Sequence, residues 1–113
     1  MKEIIYIRLY AEVSSEESAR KVAEEIQELT KEHIKLLEIH IEQYWKIPEY
    51  YEIVLRISPN TEASQIFHKL TSILGEGWEE QQPIVESIWN HGPNSSFVIS
   101  SIKWAHIEVI SKE

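Results

Sequence analysis

The chain has 113 residues, 42% of them hydrophobic and 27% charged, a composition that suits one folded domain and excludes a disordered chain. Its formal net charge of −8 disfavours nucleic-acid phosphates and anionic membrane surfaces as partners. The absence of cysteine excludes disulfides and thiolate chemistry. Together with the lack of a signal-peptide pattern, it is typical of a cytoplasmic protein. We therefore expect a single domain over 1–113, located in the cytoplasm.

The first part of the chain predicts a strand followed by a helix. Alternating apolar residues over 2–13 indicate a half-buried strand. Ser14 and Glu17 have the spacing of a capping box, so a helix is expected to begin there and to end near His33. The apolar residues of this helix recur at helical spacing and are Ala19, Val22, Ala23, Ile26 and Leu29.

A β-hairpin is predicted next. Residues 35–45 and 50–58 alternate between apolar and polar side chains, and the segment around Pro48 has the composition of a turn. The inward-facing residues of the first hairpin strand are expected to be Leu37, Ile39 and Ile41.

The second part of the chain predicts another helix and two further strands. Residues 58–61 interrupt the preceding strand and cap an amphipathic helix, which Gly75 and Gly77 end. A short strand is predicted over 84–90 and a long final strand over 97–110.

This β-α-β-β-α-β-β order predicts an α+β fold of the ferredoxin-like type, with an extra C-terminal strand. Its antiparallel sheet carries both helices on one face. We expect 84–90 to lie beside the first strand, and 97–110 to form a hairpin with 84–90 at the sheet edge. The opposite surface of the sheet, called the front face from here on, is then left free for another molecule.

Two segments with the sequence His-Ile-Glu, within 38–43 and 104–109, raise the question of a shared metal or catalytic site. The predicted topology separates them by three or four strand spacings, or ~15–19 Å. Metal–nitrogen bonds of about 2 Å cannot span that distance. Same-side neighbours within one strand are ~6.5 Å apart, which is wide for one ion. No nucleotide, hydrolase or metalloprotease motif occurs. We therefore expect no catalytic, metal or cofactor site.

The front face instead has the composition of a recognition surface, because aromatic rings are mixed with carboxylates. Arg8 and Arg56 are expected to pair with Glu12 or Glu52 and keep this surface ordered. Coverage of the face by the chain itself, or by a second copy in a homodimer, remains open. The residues predicted to bind a protein partner are Tyr10, Glu38, His40, Glu42, Tyr44, Trp104, His106 and Glu108.

The segments SIWN (87–90) and SIKWAHIE (101–108), separated by a short polar loop, resemble small bacterial immunity proteins of polymorphic and contact-dependent toxin systems. The resemblance covers about the last third of the chain. It implies a small acidic cytoplasmic protein that blocks a cognate toxin by covering the toxin's active site.

These observations favour a non-enzymatic protein-binding domain, an immunity-like inhibitor of a basic toxin or nuclease. The alternative is a small ferredoxin-like enzyme or ligand-binding homodimer that uses the front face, with a pocket at His40 or His106. A structural or regulatory homo-oligomer is the third hypothesis.

Overall fold

The computed structural model describes residues 2–81 and 86–112, which form an α+β fold of two helices and an antiparallel sheet, as predicted. The helices are α1 (Glu16–Thr30) and α2 (Ala63–Leu74). The strands are β1 (Lys2–Glu12), β2 (Ile34–Gln43), β3 (Tyr50–Pro59), β4 (Gly75–Glu76), β5 (Glu79–Gln81), β6 (Glu86–Asn90), β7 (Ser96–Phe97) and β8 (Ile102–Lys112). Within the described ranges, neither helix is long and apolar enough to cross a lipid bilayer.

Six strands form one sheet in the order β2-β3-β1-β8-β6-β5, while β4 and β7 pair separately. Both helices pack on the same side of the large sheet, since their buried residues join the inward residues of its strands in one cluster. In β1 these inward residues are Ile5, Ile7 and Leu9, each at most 1% exposed. The alternate residues of the same strand therefore lie on the front face.

The predicted neighbour of β1 was wrong. The sequence placed 84–90 beside the first strand, whereas in the structure β8 lies between β1 and β6. Both β1 and β8 have 11 residues, while β6 has five. Because β8 is as long as β1, pairing with β8 satisfies more of the backbone hydrogen bonds of β1 than pairing with the short β6 could. Residues 82–85, which include the start of the predicted short strand, lie outside the described residues.

The first helix begins and ends slightly inside its predicted limits. Ser15, rather than Ser14, is the N-cap, and its hydroxyl accepts a hydrogen bond from the backbone N–H of Ser18 at 3.1 Å. At the other end Thr30 is fully buried, and its hydroxyl donates to the Ile26 carbonyl at 2.8 Å. Leu29, predicted to belong to the apolar stripe, is 40% exposed at the margin of the helix interface.

A β-bulge in β2 corrects the prediction for Leu37. Leu36 pairs with Ile57 and Glu38 with Arg56, so Leu37 is the extra residue and is 41% exposed. A bulge shifts the alternation of a strand by one residue. It thereby allows apolar residues before the bulge and apolar residues after it to face the same core, while the glutamates that follow face the front.

The long final strand predicted over 97–110 is interrupted. β7 pairs with β4, the chain turns, and β8 begins only at Ile102. The small β4–β7 sheet is fixed by Trp89, which is 2% exposed and donates from Nε1 to the Glu76 carbonyl at 2.8 Å. Gly77 has a φ of 96°, a left-handed conformation that favours glycine and lets the chain leave β4 sharply. The small β4–β7 sheet and Trp89 thereby cover the part of the core next to α2.

Candidate functional site

The front face is accessible in the structure. Each of the eight residues predicted to bind a partner is exposed or half-buried, so neither the C-terminal segment nor the loop after α2 covers them within the described ranges. His40, Glu38 and Glu42 of β2 are exposed, whereas the residues of β1 and β8 are half-buried against one another. The face therefore has an exposed margin on β2 and a better ordered centre on β1 and β8.

Four aromatic side chains form a continuous stack across this centre, called the aromatic row. The ring centroids of Tyr10 and Tyr44 are 4.4 Å apart, and those of Tyr10 and Trp104 are 5.0 Å apart. Trp104 in turn stacks on His106 at 5.9 Å. Such pairs stabilise each other by about 0.5–1.5 kcal/mol beyond the area that they bury. The rings are therefore held in place before any partner arrives.

The register of the strands explains why this row forms. Tyr10 pairs with Trp104 across β1 and β8, and a bulge at the next position ends the regular alternation there. Tyr44 follows directly after β2, where its backbone N–H donates to the Tyr50 carbonyl at 2.8 Å. Its ring then reaches diagonally over β3 to Tyr10, as long side chains do on one face of a sheet.

Tyr10, which stacks on both Tyr44 and Trp104, has a phenol with a raised pKa. Burial, followed by its hydrogen bond with Tyr44 and the negative charge of Glu52, raises the pKa of Tyr10 to about 12. Each of these effects disfavours the phenolate. Tyr10 therefore stays protonated to a higher pH than an ordinary tyrosine does.

Both arginines of the front face are engaged by carboxylates of the same face. Arg56 donates from Nη1 to Glu38 at 2.7 Å, and this hydrogen bond raises the pKa of Arg56 above its ordinary value. Arg8 lies 3.6 Å from Glu52, one of the two partners predicted for it. Glu12 is 4.0 Å from the ammonium of Lys103 instead. The remaining front-face carboxylates give the surface a surplus of negative charge.

A shallow depression of about 320 Å³ lies next to the aromatic row. The guanidinium of Arg56 lies over the Tyr6 ring, 5.6 Å from its centroid, and forms one wall. Its Nε is buried and, among the described residues, has no hydrogen-bond partner. The residues that line the depression are Tyr6, Arg8, Val54, Arg56, His106 and Glu108.

The structure keeps the two His-Ile-Glu segments apart, as the sequence predicted. β1 and β3 lie between the strand of His40 and that of His106, so three strand spacings, or ~14 Å, separate them. His40 is opposite Val54 of β3 in register and lies 3.8 Å from Glu42. His106 differs from the prediction in one respect, because it lies inside the sheet rather than near an edge.

Glu86 is the front-face residue that sequence reasoning missed. It pairs in register with Glu108, and its carboxylate lies 2.9 Å from Nε2 of His106. We call Glu86, His106 and Glu108 the His–Glu cluster. The alternation of the short strand over 84–90 was too brief to assign a direction to Glu86. Only the register between β6 and β8 brings it to His106.

The groups gathered here are stacking surfaces, carboxylates and paired guanidinium groups, all of which occur in binding surfaces. No family model, curated protein or solved structure matches this chain.

Proposed function

We propose that the chain is a non-enzymatic binding domain whose front face binds a basic protein, and that this protein is a cognate toxin or nuclease that it inhibits. The observation that carries the proposal is the aromatic row set among surplus carboxylates. Aromatic residues dominate the energetics of protein interfaces when they are centrally placed and surrounded by polar groups.

The order of the row favours tight binding. Tyr10 and Trp104 are already stacked at 5.0 Å, so binding does not have to immobilise them. Ordering a flexible side chain at an interface costs about 0.5–1.5 kcal/mol, and a pre-organised surface avoids that cost. Large rings with few rotatable bonds are therefore suited to act as binding anchors.

The charge distribution supports a basic partner. Arg8 and Arg56 are paired with Glu52 and Glu38, while Glu42 on the exposed margin lies 3.8 Å from His40 and opposite Glu52 in register. A net charge of −8 adds long-range attraction toward a positively charged surface. Such attraction raises the rate of association and weakens as salt concentration increases.

The finer description of the fold belongs to the same proposal. We infer a ferredoxin-like unit formed by β1, α1, β2, β3, α2 and β8, to which β6 and β5 are added at one edge. This reading is supported by the order β2-β3-β1-β8, which follows the usual arrangement with β8 as the fourth strand. We also place the protein in the cytoplasm, where a chain with no cysteine suits the reducing conditions.

The test uses a basic toxin or nuclease domain encoded next to the gene of this protein. The two proteins are co-purified, their affinity is measured by calorimetry, and inhibition of the toxin is measured with its own substrate. We expect tight binding and inhibition by the unaltered chain. Trp104→Ala should weaken binding by about 2 kcal/mol or more, the loss typical of a central anchor.

The matched control is Glu24→Gln against Glu42→Gln. Both remove one exposed carboxylate, but Glu24 lies on α1, behind the sheet, and Glu42 lies on the front face. Only Glu42→Gln should slow association at low salt concentration. Equal effects of the two substitutions, or full affinity in Trp104→Ala, would show that a different surface binds.

The alternative function has one observation in its favour, the depression beside His106. Its volume of about 320 Å³ is at the lower limit for a small-molecule site. Enclosure by a second copy would complete such a pocket. Light scattering at several protein concentrations tests this alternative: a monomer at all concentrations contradicts it, while a dimer that is lost in Tyr6→Ala supports it.

A further inference from the structure

The His–Glu cluster brings three metal-ligating side chains to one point on the front face. Glu86 of β6 and Glu108 of β8 are directly opposite each other in register, and His106 is the next residue of β8 on the same side. Their ligand atoms all lie within 4.8 Å of one another. The site does not depend on the proposed partner, because all three ligands come from this chain.

The charges of the cluster are unbalanced without a cation. Like charges directly opposite each other on paired strands destabilise a sheet. The side chain of Glu86 is only 20% exposed and Glu108 is half-buried, so water screens their repulsion less than it would on an open surface. A divalent cation bound at this point would offset the charge of both carboxylates.

The neighbouring arginine is not positioned to supply this compensation. Arg8 pairs in register with His106 across β1 and β8, but its Nε is directed to Glu52 at 3.6 Å. Arg56 lies one strand further away and donates to Glu38 at 2.7 Å. The two guanidinium groups are thus paired with carboxylates outside the His–Glu cluster.

We propose that Glu86, His106 and Glu108 bind a divalent transition-metal ion, with zinc as the test ion. One imidazole nitrogen and two carboxylate oxygens form a ligand set that zinc accepts at bond lengths of about 2.0–2.2 Å. Ligand atoms around such an ion are ~3.3 Å apart when the geometry is tetrahedral. The 2.9 Å between His106 Nε2 and Glu86 Oε2 already approaches this value. The wider separations within 4.8 Å close by rotation of glutamate side chains.

The surroundings suit a site with an open position. Paired backbones of β6 and β8 hold the three Cα atoms, and Trp104 stacks on the His106 ring at 5.9 Å and limits its rotation. Both His106 and Glu108 also line the depression. The coordination positions that the protein leaves free therefore face a space that water or a bound oxygen ligand can enter.

The expectation of no metal site rested on strand geometry and on the absence of a metalloprotease motif. Same-side neighbours such as His106 and Glu108 are too far apart to define a site by themselves. The third ligand from β6 changes this, since Glu86 is opposite Glu108 in register and its carboxylate lies 2.9 Å from His106 Nε2.

The experiment uses the full chain after treatment with a chelator. Zinc chloride is titrated into the isolated protein by calorimetry, with magnesium chloride as the comparison ion, since magnesium prefers an all-oxygen site. We expect one zinc ion per chain and a higher Tm in the presence of zinc, because an ion that binds the folded state and not the unfolded state stabilises the folded state. Binding of magnesium should be at least about tenfold weaker.

The variants separate a built site from adventitious binding. His106→Gln and Glu86→Gln should each weaken zinc binding at least about tenfold, since even changes outside the ligand shell have effects of that size. His40→Gln is the matched control, because it removes an exposed front-face histidine that also has a glutamate beside it at 3.8 Å. It should leave zinc affinity unchanged.

Three results would overturn the proposal: no zinc binding by the unaltered chain, unchanged affinity in His106→Gln, or an equal loss in His40→Gln, which would indicate adventitious surface binding only. Circular dichroism establishes that each variant is folded. Where Glu86→Gln does not fold, Glu108→Gln takes its place. A zinc-dependent shift of the His106 Nε2 resonance, without a shift at His40, provides an independent readout in the unaltered protein.

Discussion

The back and the front of the sheet are formed by the same strands but are ordered by different interactions. On the back, Ile7 and Leu9 of β1 are at most 1% exposed and belong to the apolar core cluster. On the front, Arg8 between them is exposed and lies 3.6 Å from Glu52. One side is ordered by the exclusion of water, and the other by stacking and ion pairs. Stability should therefore come mainly from the back, and binding from the front.

The largest expected effect tests this contrast with neighbouring residues of β1. Leu9→Ala should lower the free energy of unfolding by about 2–5 kcal/mol, because it leaves a cavity in a closely packed core. Arg8→Ala should lower it by no more than about 1 kcal/mol, since its ion pair is solvent-exposed. Urea denaturation of the two variants measures both values. Similar losses would break the comparison.

A smaller effect is expected within the front face. Trp104→Ala removes stacking partners of both Tyr10 and His106, so we expect a loss of about 1–3 kcal/mol in the free energy of unfolding. Trp45→Ala is the matched control, because Trp45 is 79% exposed and should contribute within about 0.5 kcal/mol. If the two variants lose equal stability, the aromatic row is not an ordered stack.

The alkaline titration of Tyr10 sharpens the contrast further. Its pKa is raised from 10.0 to about 12, so the folded state holds the phenolic proton more tightly than the unfolded state does. This contribution to stability is complete below pH 10 and is lost as the pH rises toward about 12. Phenolate absorbance should show one late-titrating tyrosine that disappears in Tyr10→Phe. Persistence of the late step in that variant would assign it to a different residue.

The smallest effect concerns the exposed ion pairs. Glu38→Gln weakens the contact with Arg56 at 2.7 Å, and a loss of about 0.2–1 kcal/mol in the free energy of unfolding is expected. The difference from the unaltered chain should shrink at high salt concentration because salt screens exposed charges. Urea denaturation at low and high salt concentration measures it. A large loss that is independent of salt would mean that the front face contributes to stability as a core does.

Much of the fold was predictable because its local patterns are strong. The alternation in β1 and β3 identified the inward residues, and the apolar spacing in α1 and α2 identified the helices. The prediction failed at Leu37 and at the strand next to β1. A bulge and the choice between two possible neighbours depend on backbone pairing that no local pattern contains.

The candidate site was likewise predictable only in part. Tyr10, Trp104, His106 and Glu108 could be assigned to the front face from alternation alone, and the structure joins them into a stack and a cluster. The contacts of Tyr10 with Tyr44 and of His106 with Glu86 could not be predicted. Strand register places Glu86 beside His106, and the end of the β2–β3 hairpin places Tyr44 beside Tyr10.

The sequence by itself determined the composition of each face, because a strand with period two separates apolar from polar residues wherever it pairs. Only the tertiary structure decided which residues of different strands meet. The insertion of β8 between β1 and β6 places Trp104 against Tyr10 on one side and His106 against Glu86 on the other. Strand order and register are set by the pairing of the whole sheet and by burial of its back, and these are long-range effects.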